Sequence, residues 1–142
     1  MTQATPIVLI VDDDPDMCWV LRTVLEPEGC RVESVLRGSE ALALLSRHTV
    51  GLMFIDAKLP DMEGLHLCAL LREQGLQTIA ILVSGYFYRD DPIVRKSVES
   101  GTIATFLEKP FDIQEVRRLV RRILRGEPVH APQRSTHHGP HR

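Results

Sequence analysis

The sequence predicts an α/β protein in which a parallel β-sheet carries helices on both faces. Three observations predict it. Short apolar runs alternate with amphipathic stretches five times along the 142-residue chain, the pattern of successive βαβ units. Two of the runs, Ile7-Val8-Leu9-Ile10-Val11 and Leu52-Met53-Phe54-Ile55, have no polar break, as strands buried on both faces require. The runs end in polar or turn-forming residues, and Pro and Gly punctuate the joins.

The first strand, Ile7 to Val11, stops at Asp12-Asp13-Asp14. Asp14 then Pro15 reads as an N-cap with proline in the first helical turn. Val20, Leu21, Val24 and Leu25 recur at helical spacing until Pro27 and Gly29 end the helix. Arg31 to Leu36 alternates, as an edge or half-covered strand does. Gly38 or Ser39 opens a second helix with Ala41, Leu42, Leu44 and Leu45 inward. The third strand, Leu52 to Ile55, closes on Asp56, and Ala57-Lys58-Leu59-Pro60-Asp61-Met62-Glu63-Gly64 is loop chemistry. Leu65, Leu67, Cys68, Leu70 and Leu71 mark a third helix, ending near Gly75. Ile79 to Val83 is the fourth strand, ending in Ser84-Gly85. Asp91-Pro92 opens the least apolar helix, with Ile93, Val94 and Val98 on its inner face and Gly101 at its end. Ala104 to Leu107 is a short fifth strand, closed by Glu108-Lys109-Pro110. Asp112 caps the last helix, with Glu115 three residues on completing a capping box. Val116, Leu119, Val120, Ile123 and Leu124 form its inner face, and Gly126 ends it. The chain therefore divides into one domain, residues 1–125, and a Pro- and His-rich tail, residues 126–142, with almost no core formers and the composition of disorder.

Composition excludes more than it suggests. A chain that is 44% hydrophobic and 25% charged is an ordinary globular protein, and a net charge of −2 gives no reason to expect nucleic acid or an anionic membrane surface. Cys18, Cys30 and Cys68 are odd in number and lack metal spacing, which fits reduced thiols in a cytoplasm. The apolar run at Ile7 follows no basic segment and is too short for a signal peptide or a membrane span.

In a parallel sheet every strand points the same way, so Asp12, Asp13, Asp56, Ser84 and Lys109 fall on one edge, where ligands bind in open α/β sheets. Converging carboxylates repel one another and call for a cation, and an all-oxygen set of high charge suits Mg²⁺ better than Zn²⁺. A hydroxyl and an ammonium beside them suit an anion that the metal also touches, and a phosphoryl group on Asp56 satisfies the set.

Four segments, in order and each at a strand end, carry a resemblance: Val-Asp-Asp-Asp at 11–14, Ile-Asp-Ala-Lys-Leu-Pro-Asp-Met-Glu-Gly at 55–64, Val-Ser-Gly at 83–85 and Phe-Leu-Glu-Lys-Pro-Phe at 106–111. From about Ile7 to Arg125 the chain resembles the receiver domain of two-component response regulators. The resemblance implies a flavodoxin-like (βα)5 fold with strand order 2-1-3-4-5. It implies that Asp56 is the phosphoacceptor and that Asp13 binds Mg²⁺ directly, with Asp12 acting through water and the Lys58 backbone carbonyl as a further ligand. Ser84 then binds a phosphoryl oxygen, Lys109 pairs with Asp56 or its phosphate, Phe106 stands at an aromatic switch position, and Lys109-Pro110 is a candidate cis peptide. Lys58 and Tyr86 flank the approach of a hydrolytic water and are expected to prolong the aspartyl phosphate.

The function so implied is a stand-alone phosphorylation switch rather than an enzyme. It is charged by a sensor histidine kinase or phosphotransfer protein. Its output passes through the fourth helix, fifth strand and fifth helix to a protein target or a second copy. Arg117, Arg118, Arg121, Arg122 and Arg125 on the fifth helix read as a solvated face, with an acidic partner or a second protomer as the alternative. The Tyr86-Phe87-Tyr88 cluster reads as a partner surface. Two other readings stand beside this one: a binding-only pseudo-receiver, and the regulatory domain of a DNA-binding regulator. A flavin-binding flavodoxin ranks last, because the first strand-to-helix turn is acidic where a phosphate loop needs backbone donors.

Overall fold

A computed structural model describes residues 7–85 and 91–128. Five strands alternate with five helices: β1 (Ile7–Val11), α1 (Pro15–Leu25), β2 (Arg31–Val35), α2 (Gly38–Leu45), β3 (Val50–Asp56), α3 (Gly64–Glu73), β4 (Ile79–Ser84), α4 (Pro92–Glu99), β5 (Thr105–Glu108) and α5 (Ile113–Leu124). A short 3₁₀ turn, Glu26–Glu28, follows α1. The strands form one parallel sheet in the order β2-β1-β3-β4-β5, the flavodoxin-like arrangement.

The sheet divides the apolar residues into two layers, as side chains alternating across each strand require. Val8, Ile10, Leu52, Phe54, Ile81, Val83 and Leu107 meet the inner faces of α1 and α5. Leu9, Val11, Met53, Ile55, Leu82 and Phe106 face α2, α3 and α4 on the other side. β1, β3 and β4 are buried along most of their length, as unbroken apolar runs demand, whereas β2 at the edge buries only Val32 fully.

Three local expectations shift, and one cap is of a kind the sequence did not signal. β3 starts at Val50, because Ile7 pairs with Val50 and Val8 with Leu52, so Gly51 is the extra residue of a bulge. Ile93 and Leu124, expected on inner faces, are 54% and 44% exposed, at the first turn of α4 and the last residue of α5. Asp112 caps α5 through the Gln114 amide, one residue before the position a capping box uses. α2 has no side-chain cap from its own N-cap residue, Arg37. Residues 129–142 of the tail lie outside the described residues.

Candidate functional site

Of the expected residues of the carboxyl edge, Asp12, Asp13, Asp56 and Lys109 come together. Asp12 directly follows β1 and is 3% exposed. Its Oδ1 accepts from the Asp14 amide at 2.9 Å, and its Oδ2 from Lys109 Nζ at 3.2 Å. The same ammonium lies 3.8 Å from Asp56 Oδ1, so Lys109 bridges the two carboxylates and sits closer to Asp12 than to Asp56, its expected partner. Ligand oxygens of Asp12, Asp13 and Asp56 all lie within 4.8 Å of one another, with Asp13 the exposed member.

Electrostatics there is strained in the useful direction. Burial pushes the Asp56 carboxyl up from 3.8 to about 6, and the Asp12 charge adds to it; Lys109 and the Lys58 amide hold it back. Burial likewise raises Asp12, against the pull of the Asp14 amide and Lys109. One ammonium serves two carboxylates, with a third beside them. That excess of negative oxygen in a partly dry notch is a donor set suited to a hard divalent cation such as Mg²⁺.

The strand ends are tied to one another. The Lys109 amide donates to the Ser84 carbonyl at 2.9 Å, and the Ala57 amide to the Val83 carbonyl at 3.1 Å. Ser84 itself is buried at the end of β4, and Lys109-Pro110 is cis, as expected. Phe106 is buried in the layer facing α2, α3 and α4. Tyr86, Phe87 and Tyr88 lie outside the described residues.

The loop after Asp56 folds back on itself. Lys58 and Glu63 form an antiparallel bridge, closed by Leu59 N to Met62 O at 3.1 Å and Gly64 N to Ala57 O at 2.8 Å. Neither bond uses the Lys58 carbonyl, the expected metal ligand. Lys58 Nζ meets Glu63 Oε2 at 3.0 Å across the loop. Glycine is required at 64, because a Cβ there would run into the Asp56 carbonyl oxygen.

Two features of the edge went unread in the sequence. The Cys18 thiol reaches the Asp12 carbonyl at 3.4 Å, with its pKa raised to about 11 by burial, so it packs there as an inert thiol. Asp61 accepts from the Gly38 and Ser39 amides at 2.8 and 2.9 Å and so caps α2 from the loop. The arginines of α5 are largely answered within the chain: Arg121 chelates Glu28 at 2.9 and 3.0 Å with Arg117 nearby, and Arg122 and Arg125 face Glu127.

The family model of the response regulator receiver domain matches residues 8–121. The chain belongs to the response regulator receiver domain family. Such receivers are the phosphorylation-controlled switches of two-component systems, work with sensor kinases and downstream targets, and in general use Mg²⁺ at an acidic pocket. This receiver is 35% identical over 132 residues to an uncharacterized 14.6 kDa protein encoded in the sodA1 3′ region of Leptolyngbya boryana, covering 92% of this chain and 98% of that one. It is 29% identical to the response regulator protein TodT of Pseudomonas putida over 90% of its own length, but spans only 55% of TodT. Its fold matches a CheY-like receiver domain protein from Methanospirillum hungatei JF-1 with a TM-score of 0.77 at 26% identity, over 87% of this chain and 96% of that one. Among the described residues no helix is long and apolar enough to cross a membrane.

Proposed function

We propose that Asp56 of this receiver accepts a phosphoryl group from the phosphohistidine of a sensor histidine kinase or phosphotransfer protein. We further propose that the modified site acts on a protein partner, or a second copy, through the face made by α4, β5 and α5. The observation that carries the reading is the Asp56 carboxylate at the mouth of the notch, beside two further carboxylates and 3.8 Å from the Lys109 ammonium.

In the transfer, an Asp56 oxygen forms the new P–O bond as the phosphohistidine P–N bond breaks, and the imidazole nitrogen keeps the electron pair and takes a proton. Asp12, Asp13, Asp56 and the Lys58 carbonyl would hold Mg²⁺, which when bound neutralises charge on the phosphoryl oxygens. Lys109 supplies the positive charge the chain itself contributes, already 3.2 Å from Asp12 and oriented by the Ser84 carbonyl's hold on its amide. The Ser84 hydroxyl is the group we assign to a phosphoryl oxygen after transfer, and Phe106, buried on β5, to the switch. On this reading residues 1–125 are the receiver and 126–142 a tail, in a cytoplasmic protein.

Intact-mass measurement after incubation with a small phosphoryl donor and Mg²⁺ tests it. One phosphoryl is expected on the wild type, none on Asp56→Asn and none without divalent metal. A gain that persists in Asp56→Asn overturns the assignment.

A further inference from the structure

α2 starts without a cap of its own. Its N-cap residue is Arg37, which offers no acceptor, yet the first amides of a helix need one. The acceptor comes from 22 to 23 residues away: Asp61 Oδ1 takes the Gly38 amide at 2.8 Å and Oδ2 the Ser39 amide at 2.9 Å. Those bonds hold the Asp61 carboxyl below its usual range. Met62 follows Asp61 onto the helix. Gly38 is buried beneath it, and a Cβ there would come within 2.5 Å of Met62 Sδ. Asp61 and Met62 form the tip of the folded-back loop whose base is Asp56, Ala57 and Lys58.

We infer that Asp61 is a positioning residue for the phosphoacceptor loop: by capping α2 it fixes the loop that carries the Lys58 carbonyl beside Asp56. The inference rests on the phosphoacceptor reading for its function, though not for its geometry. The loop closes by two backbone bonds between its own arms, Leu59 to Met62 and Gly64 to Ala57, and these set its shape without anchoring its tip. Leu59 and Met62 pack the loop onto the core, and the polar anchor is the carboxylate on α2, with both oxygens used and the positive end of the helix dipole in front of them. Residues that hold a metal's ligands in place typically change affinity by about 10–100-fold when lost. The low end is expected for Asp61, because it acts through a backbone segment.

Removing the carboxylate also uncaps a helix, so the experiment must separate the two effects. Asp61→Ala is compared with the double variant Arg37→Ser/Asp61→Ala, where the introduced serine hydroxyl gives α2 a local cap. Readouts are the thermal midpoint, Mg²⁺ affinity by calorimetry, amide exchange at Leu59 and Gly64 in metal-free protein, and the rate of phosphoryl uptake. Expected is recovery of the midpoint in the double variant with Mg²⁺ binding still weakened roughly tenfold and both amides exchanging faster than in wild type. Asp61→Asn, which keeps one carbonyl acceptor, should fall between. Full recovery of Mg²⁺ affinity and exchange in the double variant makes Asp61 a helix cap only and overturns the inference. If wild type takes up no phosphoryl group, the proposed function fails instead, and amide exchange still decides whether Asp61 holds the loop.

Discussion

Phe54 and Asp56 stand two positions apart on β3, hence on the same face of the sheet. Phe54 is 1% exposed, in the layer it shares with Leu52, Ile81, Leu107 and Val116. Asp56 finds two carboxylates and half the attention of one ammonium. One pleat thus separates a residue that stabilises the sheet from one that costs it stability. The cost lies at the strand's end, where the group is partly open to water. The contrast is one of charge compensation: the end of β3 gathers three carboxylates around one ammonium, an excess of negative charge that a divalent cation would relieve.

The largest effect should come from the interior. Phe54→Ala leaves a cavity in a fully packed layer and should lose about 3–5 kcal/mol in urea unfolding, a large part of the ~5–15 kcal/mol typical of a domain. A loss under about 1 kcal/mol would break the contrast, by showing that the layer yields around the gap.

The end should respond with the opposite sign. Because the Asp56 carboxyl is raised from 3.8 to about 6, the folded chain keeps a proton there that the unfolded chain has released. Stability therefore falls as pH rises from about 4 to about 6 and stays lowered above that window. Asp12, shifted in the same direction, adds to the slope. Asp56→Asn removes the Asp56 contribution. At neutral pH and without metal it should stabilise the protein by about 1–2 kcal/mol, the value expected once water screens a partly exposed carboxylate. The gap between the two proteins should close below pH 4 and narrow when Mg²⁺ is added at neutral pH. A variant no more stable than wild type at neutral pH would mean that Lys109 compensates Asp56 fully.

The same contrast explains what the sequence made legible. Strand interiors and their polar ends are written locally, as apolar runs stopping at Asp12, Asp56, Ser84 and next to Lys109, so the sheet and the meeting of Asp12, Asp13, Asp56 and Lys109 on one edge could be read before any contact was known. Partnerships across the chain were not written there. That Lys109 favours Asp12 over Asp56 depends on how two loops meet, 97 residues apart. Arg121 finds Glu28 across 93 residues, so the arginines of α5 form the solvated face the sequence suggested, with ion pairs to Glu28 and Glu127 that no local pattern announced. Asp14, Asp91 and Asp112 each cap the helix that follows them, the pattern sequence rules recognise. Asp61 caps a helix that precedes it, and no local pattern describes that. Ile93 and Leu124 were misplaced because periodicity assigns a face to a whole helix, whereas these two residues stand in its terminal turns.

The smallest expected effect is at the opposite end of β3, and it isolates the functional end from stability as such. Thr78 Oγ1 donates to the Val50 carbonyl at 2.8 Å, tying the start of β4 to the start of β3. Thr78→Val keeps the shape and deletes the donor, so it should cost about 1 kcal/mol, the net worth of one such bond. Asp56 is the last residue of the same strand, and the carboxylates beside it reach it from β1 rather than through Val50. Mg²⁺ affinity and phosphoryl uptake should therefore match wild type in Thr78→Val at temperatures where both are folded. If a loss of that size at Val50 weakened Mg²⁺ binding as Asp61→Ala is expected to, the site would be tracking global stability. The loop's anchor on α2 would then carry no special weight.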